Sequence, residues 1–255
     1  MAETLRFCSW NIQVGINRER VLNVVRHHKD FRNLDVLALQ EASAHANGDD
    51  ASQIALALGE GYAAYQHVYH HLKTRPQANA LVWNSKRIHF EAIQHHILPS
   101  YLQAVVTRTE RAVLNRLKQQ ARVNLVGDGT FGNHSLRVCT AHLDVMGYRF
   151  KHQQFRAVLD DLHARPPVDL EILAGDFNTI RIGGRPTWAQ LKKDAAKINL
   201  RPIADNIRWT QKTLRLKQKL DEIFVATDCA VASRVWTLDV QGSDHVPIFA
   251  EITIE

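Results

Sequence analysis

Three cysteines in 255 residues are too few, and too widely spaced, to staple a fold or build a zinc site. Cys8 and Cys139 lie inside apolar segments and Cys229 just after one, so all three read as small hydrophobes of a reducing compartment. No apolar run reaches the length of a membrane span, which excludes a transmembrane helix. The opening Met1-Ala2-Glu3-Thr4-Leu5 enters a strand pattern at once, without the charged and apolar regions of a signal peptide, and a cytoplasmic location is expected. No low-complexity linker divides the chain, so one domain over residues 1–255 is expected. What is present has a globular balance, 45% hydrophobic against 23% charged, enough for a substantial core. Lys and Arg (32) exceed Asp and Glu (26) by +6, a bias toward a polyanionic partner such as nucleic acid or an anionic surface.

Short apolar strands alternate with amphipathic helices. Strands are expected at Leu5–Ile12, Leu34–Leu39, Ala80–Trp83, Arg111–Leu117, Leu136–Thr140, Leu170–Ala174, Glu222–Ala226 and Val246–Ile252. A turn is expected near Gly127–Gly129, between the Arg111 and Leu136 strands. Helices are expected at Arg18–Lys29 with Asn17 as N-cap, Ala51–Leu58 behind Asp49-Asp50, Phe150–His163 and Thr187–Lys197 with Thr187 as cap. The mixture lacks strict βαβ repetition, which points to sheets packed face to face with helices outside.

Several strands run straight into a polar group. Phe7-Cys8-Ser9-Trp10 ends at Asn11, Leu37-Ala38-Leu39 at Gln40-Glu41, Val138-Cys139-Thr140-Ala141 at His142, and Ile172-Leu173-Ala174-Gly175 at Asp176-Phe177-Asn178. Two late strands invert the order: Asp221 precedes Glu222–Val225, and Asp244-His245 precedes Val246–Phe249. If those late strands run antiparallel to the earlier ones, all these groups share one rim. Carboxylates crowded in that way repel unless a cation or hydrogen bonds offset them, and a hard divalent ion meets the need.

Six segments in this order resemble the endonuclease/exonuclease/phosphatase superfamily: Ser9-Trp10-Asn11, Leu39-Gln40-Glu41, Ala141-His142-Leu143, Gly175-Asp176-Phe177-Asn178, Leu220-Asp221-Glu222-Ile223-Phe224 and Gly242-Ser243-Asp244-His245. Glu110-Arg111-Ala112 is similar to the Glu-x-Arg start of a middle strand in bacterial members. The resemblance implies a four-layer α/β sandwich, two packed mixed β-sheets flanked by helices. It also implies a Mg²⁺-dependent phosphoesterase, with Mn²⁺ as a possible substitute. Glu41 is then the principal metal ligand, with Asn11 and Asp244 contributing to the metal shell. Asp221 holds one ring nitrogen of His245, which acts on the attacking water or on the phosphate. Asp176 orients the water, Asn178 donates to the developing charge, and His142 contacts the phosphate or protonates the leaving group.

Two departures matter. Apurinic-site endonucleases carry an acid two places after the asparagine, where this chain has Gln13. No carboxylate partner for His142 is legible. The substrate is not written in these motifs. Arg208, Trp209, Lys212 and Arg215 lie in a basic stretch leading to Asp221, and Arg185 follows Gly183-Gly184 in another basic loop. These favour a nuclease on DNA or RNA, with Trp209 as a stacking platform. The alternatives are a phosphatase or phosphodiesterase of small-molecule or lipid-headgroup esters (inositol phosphate, phosphoinositide or sphingomyelin type), and a non-catalytic binding protein on the same scaffold. No exposed apolar insertion of the lipid-acting kind is expected.

Overall fold

The computed structural model describes residues 3–72, 75–116, 120–179, 187–214, 216–226 and 230–254. In chain order the strands are β1 (Glu3–Asn11), β2 (Val36–Ala42), the two-residue strands β3 (Ala44–His45) and β4 (Gly48–Asp49), β5 (Tyr62–His71), β6 (Pro76–Asn84), β7 (Ile88–Ile97), β8 (Val123–Phe131), β9 (His134–His142) and β10 (Leu170–Asp176). They continue with β11 (Arg201–Pro202), β12 (Gln211–Thr213), β13 (Leu216–Gln218), β14 (Asp221–Ala226), β15 (Ala230–Thr237) and β16 (Ile248–Ile254). The α-helices are α1 (Arg18–His27), α2 (Asp50–Leu58), α3 (Arg108–Leu114), α4 (Tyr148–His163) and α5 (Thr187–Ala195).

Two mixed six-stranded sheets form, in the orders β15-β16-β1-β2-β6-β5 and β11-β14-β10-β9-β8-β7. Side chains alternate across each strand, and both faces of both sheets are used. Leu5, Phe7, Val36 and Ala38 of the first sheet meet Leu136, Val138, Ile172 and Ala174 of the second in one buried layer. The opposite face of the first sheet (Cys8, Trp10, Leu37, Leu39) packs on Val21, Leu22 and Val25 of α1 and Ile54 of α2. The opposite face of the second (Cys139, Leu173, Phe224) packs on Phe155, Val158 and Leu162 of α4 and Leu191 of α5. This is the expected helix–sheet–sheet–helix layering. Cys8 and Cys139 are buried and free. Among the described residues no helix is long and apolar enough to cross a membrane.

The inward-facing row of each central strand changes character along its length. It reads Leu5, Phe7, Ser9, Asn11 on β1, then Val36, Ala38, Gln40 on β2, Leu136, Val138, Thr140, His142 on β9, and Leu170, Ile172, Ala174, Asp176 on β10. Oil gives way to polar groups toward one end, and those polar groups bond across the gap between the sheets. Gln40 Nε2 donates across it to Thr140 Oγ1 (2.8 Å) as well as to Ser9 Oγ on the neighbouring strand (3.2 Å), and Asn79 Nδ2 donates across it to Thr140 O (3.2 Å). The amide N–H groups are paired there, whereas Gln40 Oε1 and Asn79 Oδ1 are buried without a hydrogen-bond partner among the described residues.

Three expectations are corrected. The strand expected at Arg111–Leu117 is not found: Arg108–Leu114 is the helix α3, started by Thr107, whose Oγ1 accepts from Glu110 N (3.2 Å), and Leu117 lies outside the described residues. The likeness of Glu110-Arg111-Ala112 to a strand start therefore fails. Glu110 Oε1 instead accepts from Arg149 N (2.9 Å) at the start of α4, and Arg111 donates to the carbonyls of Tyr101 and Ala104. Gly127–Gly129 is no turn but the interior of β8, where a Cβ on Gly129 would stand 2.0 Å from His89 O. The turn follows at Gly132, with φ +55. Strands β5 and β7 went unread because each alternates polar and half-buried residues at a sheet edge. Asn17 precedes α1 but makes no capping bond.

Candidate active site

Strand directions bring the polar ends together. Strands β9 and β10 run parallel, with Asp176 beside His142. β14 runs antiparallel to β10, so its first residue, Asp221, pairs with Asp176 on the other side. β16 runs antiparallel to β1, with Ile248 opposite Ser9, which leaves His245 near the end of β1. Trp10 Nε1 fixes it there by donating to His245 O (3.0 Å). The expectation that late strands begin where early ones end is met.

His245 Nδ1 lies 2.8 Å from Asp221 Oδ2, and its Nε2 lies 3.7 Å from Asp176 Oδ2. All three side chains are buried. Burial works against a charged ring, but Asp221 and Asp176 outweigh it and raise His245 to about 10. Burial and the neighbouring Asp221 together raise Asp176 above the carboxylate range. Asn11 Nδ2 donates to Asp176 Oδ2 (3.0 Å) from the opposite sheet, while Asn11 Oδ1 accepts from Gln13 N (3.0 Å). Both ends of that amide are engaged, so Asn11 holds Asp176 across the seam. Asn178 N donates to Asp176 Oδ1 (2.9 Å), and Asn178 Nδ2 to Leu143 O (2.9 Å).

Glu41 is different. A register shift in the β2–β6 pairing between Leu39 and Ala42 turns it, and its backbone takes φ 52. A non-glycine residue is strained there, and such strain collects at functional sites. Among the described residues no donor lies within hydrogen-bond distance of its carboxylate; His142 Nε2 is 3.7 Å away. Burial raises Glu41 to about 7; Arg122 opposes the rise, and Asp176 and Asp244 add to it. Asp244 Oδ2 accepts from Gln211 Nε2 (3.1 Å). The ligand atoms of Asp176, Asp221 and His245 all lie within 4.8 Å of one another, but Asp221 and His245 already engage each other. Glu41 has no such partner among the described residues, and its carboxylate oxygens are of the kind that could hold a hard divalent ion.

His142 has an arginine, not a carboxylate, at its back. Arg122 Nη1 donates to His142 Nδ1 (3.0 Å), and Tyr69 Oη lies 3.2 Å from the same nitrogen. An accepting Nδ1 puts the ring proton on Nε2, which faces Glu41 and Asp176, each 3.7 Å away. Burial, with the charges of Arg122 and His245, holds the ring well below the usual histidine range. With Nδ1 accepting, His142 presents Nε2–H toward the rim, where it can contact a phosphate or a leaving oxygen.

Across residues 8–245 the sequence matches the Endonuclease/Exonuclease/phosphatase family. The chain belongs to that family. Comparison with curated proteins finds no match. Solved structures share the fold at low identity. A Bacteroides thetaiotaomicron endonuclease/exonuclease/phosphatase family protein is 14% identical over 100% of this chain and 99% of its own, with TM-score 0.70. D. rerio TDP2, complexed with single strand DNA product, is 17% identical over 98% and 99%, with TM-score 0.72. The human Nocturnin catalytic domain, with bound sulfate anion, is 18% identical over 99% and 95%, also with TM-score 0.72.

In this Endonuclease/Exonuclease/phosphatase chain, Asn11, Glu41, His142, Asp176, Asn178, Asp221, Asp244 and His245 come to one end of the sandwich. Arg208 and Lys212 are exposed beside it, and Lys217 Nζ lies 4.2 Å from the Trp209 ring centroid, over one face of the expected platform. Lys219, part of the same basic run, is buried against Glu222 (2.7 Å). Arg185 and Arg215 lie outside the described residues. Sequence reading missed Tyr69, Arg122 and Lys151. Lys151 is buried, donates to Val145 O (3.1 Å) and to Asn178 O, and so holds Asn178 at its left-handed φ of 49. Burial lowers this lysine to about 8, against the pull of Asp176 and Asp144. A lysine on the apolar stripe of α4, and an arginine opening the alternating run Val123–Phe131, were the available signals.

Proposed function

We propose that this chain is a Mg²⁺-dependent phosphodiesterase acting on nucleic acid, with Mn²⁺ as a possible substitute. The carrying observation is the buried Asp221–His245–Asp176 group near Glu41, a carboxylate that meets no hydrogen-bond donor among the described residues. Glu41 would hold the divalent ion, with Asp244 helping through the metal shell. An ion held there would supply Lewis-acid stabilisation of the charge that develops on phosphate oxygens.

The remaining roles follow from the residues. Asp176 accepts a proton from the attacking water, since burial has raised its affinity for one. His245, kept protonated by Asp221, offers Nε2–H to the phosphate oxygens on which charge develops. His142 Nε2–H donates to the same group from the other side. Asn178 supplies a further side-chain N–H. The bond to the leaving oxygen breaks as the water oxygen joins phosphorus, and the leaving oxygen takes up a proton from solvent water to depart as an alcohol.

Nucleic acid is favoured over a small ester by the excess of positive charge and by Arg208, Lys212 and Lys217, exposed next to the His245 segment. The test is nicking of supercoiled plasmid with Mg²⁺, alongside RNA, inositol phosphates, phosphoinositides and sphingomyelin, with EDTA and His245→Ala as controls. Cleavage lost in both controls supports the proposal. Cleavage indifferent to chelation, or confined to non-nucleic esters, refutes it.

A further inference from the structure

Thr210 lies between Trp209 and the β12–β13 hairpin, is 0% exposed, and takes no part in the chemistry above. Its bonds, however, reach Asp221 itself and the residue that follows His245, the two chain segments whose side chains form the Asp221–His245 pair. Thr210 Oγ1 accepts from Leu220 N (2.9 Å) and from Asp221 N (3.0 Å). Thr210 O accepts from Val246 N (2.8 Å), the amide that follows His245. Its own N donates to Gln218 O (2.8 Å), which ties the hairpin to the same point. Two more contacts continue the seam: Lys212 N donates to Asp244 O (2.8 Å), and Gln211 forms an isolated β-bridge with His245.

Asp221 opens β14 in the second sheet, whereas His245 precedes β16 in the first. Their 2.8 Å side-chain contact crosses between separate sheets. Few backbone bonds set the distance between these two chain segments directly, and Thr210 supplies one to each. A serine at this place would keep the acceptor; a valine would keep the shape and leave two buried N–H groups unpaired.

We infer that Thr210 is a positioning residue: its hydroxyl and carbonyl set the spacing of Asp221 and His245, which makes the β12–β13 hairpin part of the catalytic frame. Polyanion contacts on the exposed hairpin face then belong to binding, and Thr210 beneath them belongs to turnover. The inference rests on the phosphodiesterase reading for its kinetic consequence only.

The experiment uses Thr210→Val, Thr210→Ser and a Lys212→Ala/Lys217→Ala double variant of the full chain. With bis(4-nitrophenyl) phosphate and Mg²⁺, Thr210→Val should lower kcat roughly 10- to 100-fold, the loss of buried bonds to a catalytic segment, with KM within about twofold. Thr210→Ser should restore most of kcat. The lysine variant should raise KM for a long polynucleotide, the loss of exposed charge from the hairpin face. In proton NMR, the low-field Nδ1–H signal of His245, assigned by its absence in His245→Ala, should shift or broaden in Thr210→Val and return in Thr210→Ser. Unchanged kcat with an unmoved signal overturns the inference, and so does a defect that serine fails to rescue. If wild type cleaves no ester, the phosphodiesterase reading falls while the NMR arm still decides the positioning role. If Thr210→Val does not fold, hydrogen exchange in wild type decides: the Leu220 and Asp221 amides should be protected, and exchange at loop rates refutes the inference.

Discussion

Replacing Glu41 by glutamine should make the metal-free protein more stable and the enzyme inactive. Glu41 sits at φ 52 with no donor on its carboxylate among the described residues, and burial raises it from the usual 4.5 to about 7. A rise of that size corresponds to about 3 kcal/mol in favour of the neutral acid. The folded chain holds this proton more tightly than the unfolded chain does. Its contribution to stability is therefore full below about pH 4.5 and is lost as pH rises through about 7. Glutamine is neutral throughout and nearly the same shape. In EDTA at about pH 8 the variant should be more stable by about 1–3 kcal/mol, with a Tm gain of about 2–4 °C per kcal/mol. Near pH 4 the two proteins should melt together. Mg²⁺ should stabilise wild type increasingly as pH rises, because it binds in place of the proton, and should do little for the variant. Differential scanning calorimetry across this range, with EDTA or Mg²⁺, measures all of it. A variant less stable than wild type in EDTA at pH 8, or one that gains as much from Mg²⁺, would refute the assignment of Glu41.

Other outcomes follow from the geometry. Asp176→Ala and His245→Ala should each lower kcat at least ~10²-fold while circular dichroism stays native. Arg122→Met should cost about 3–5 kcal/mol in urea denaturation, since it strips Asp144 and His142 of a buried partner. Gly175→Ala should cost about 3 kcal/mol or more: its φ is 151, and a Cβ there would stand 1.9 Å from Ala141 O, forcing β9 and β10 apart. Thr107→Ala should cost about 1 kcal/mol by uncapping α3, a loss that a strand at that position would not show.

The layers and the rim were legible because period-two strands ended in polar residues, and that pattern survives in any register. Asn11, Glu41, His142, Asp176, Asp221 and His245 were readable for the same reason. What escaped reading depends on contacts distant in sequence. Arg122 and Tyr69 are 53 residues apart and meet only because β5 and β8 flank one end of the sandwich. Arg111–Leu117 looked extended because of its apolar residues, yet the Thr107 hydroxyl decided for helix. Gly127 and Gly129 suggested a turn, whereas they answer to close approach by Phe90 and His89 within a strand pair. The basic stretch looked uniform, and only packing separates buried Lys219 from exposed Lys212.

The apolar layer between the sheets has a mechanical meaning. Asn11 and Glu41 ride on one sheet, His142, Asp176 and Asp221 on the other, and a 3.0 Å bond from Asn11 to Asp176 is one of those that span the joint at its open end. The filling of Leu5, Phe7 and Ala38 against Val138 and Ile172 works as a shim whose thickness fixes how far apart the two halves of the pocket stand. Thinning it by one methyl group, far from any reacting atom, would tilt one half against the other and dull turnover before the chain lost its shape.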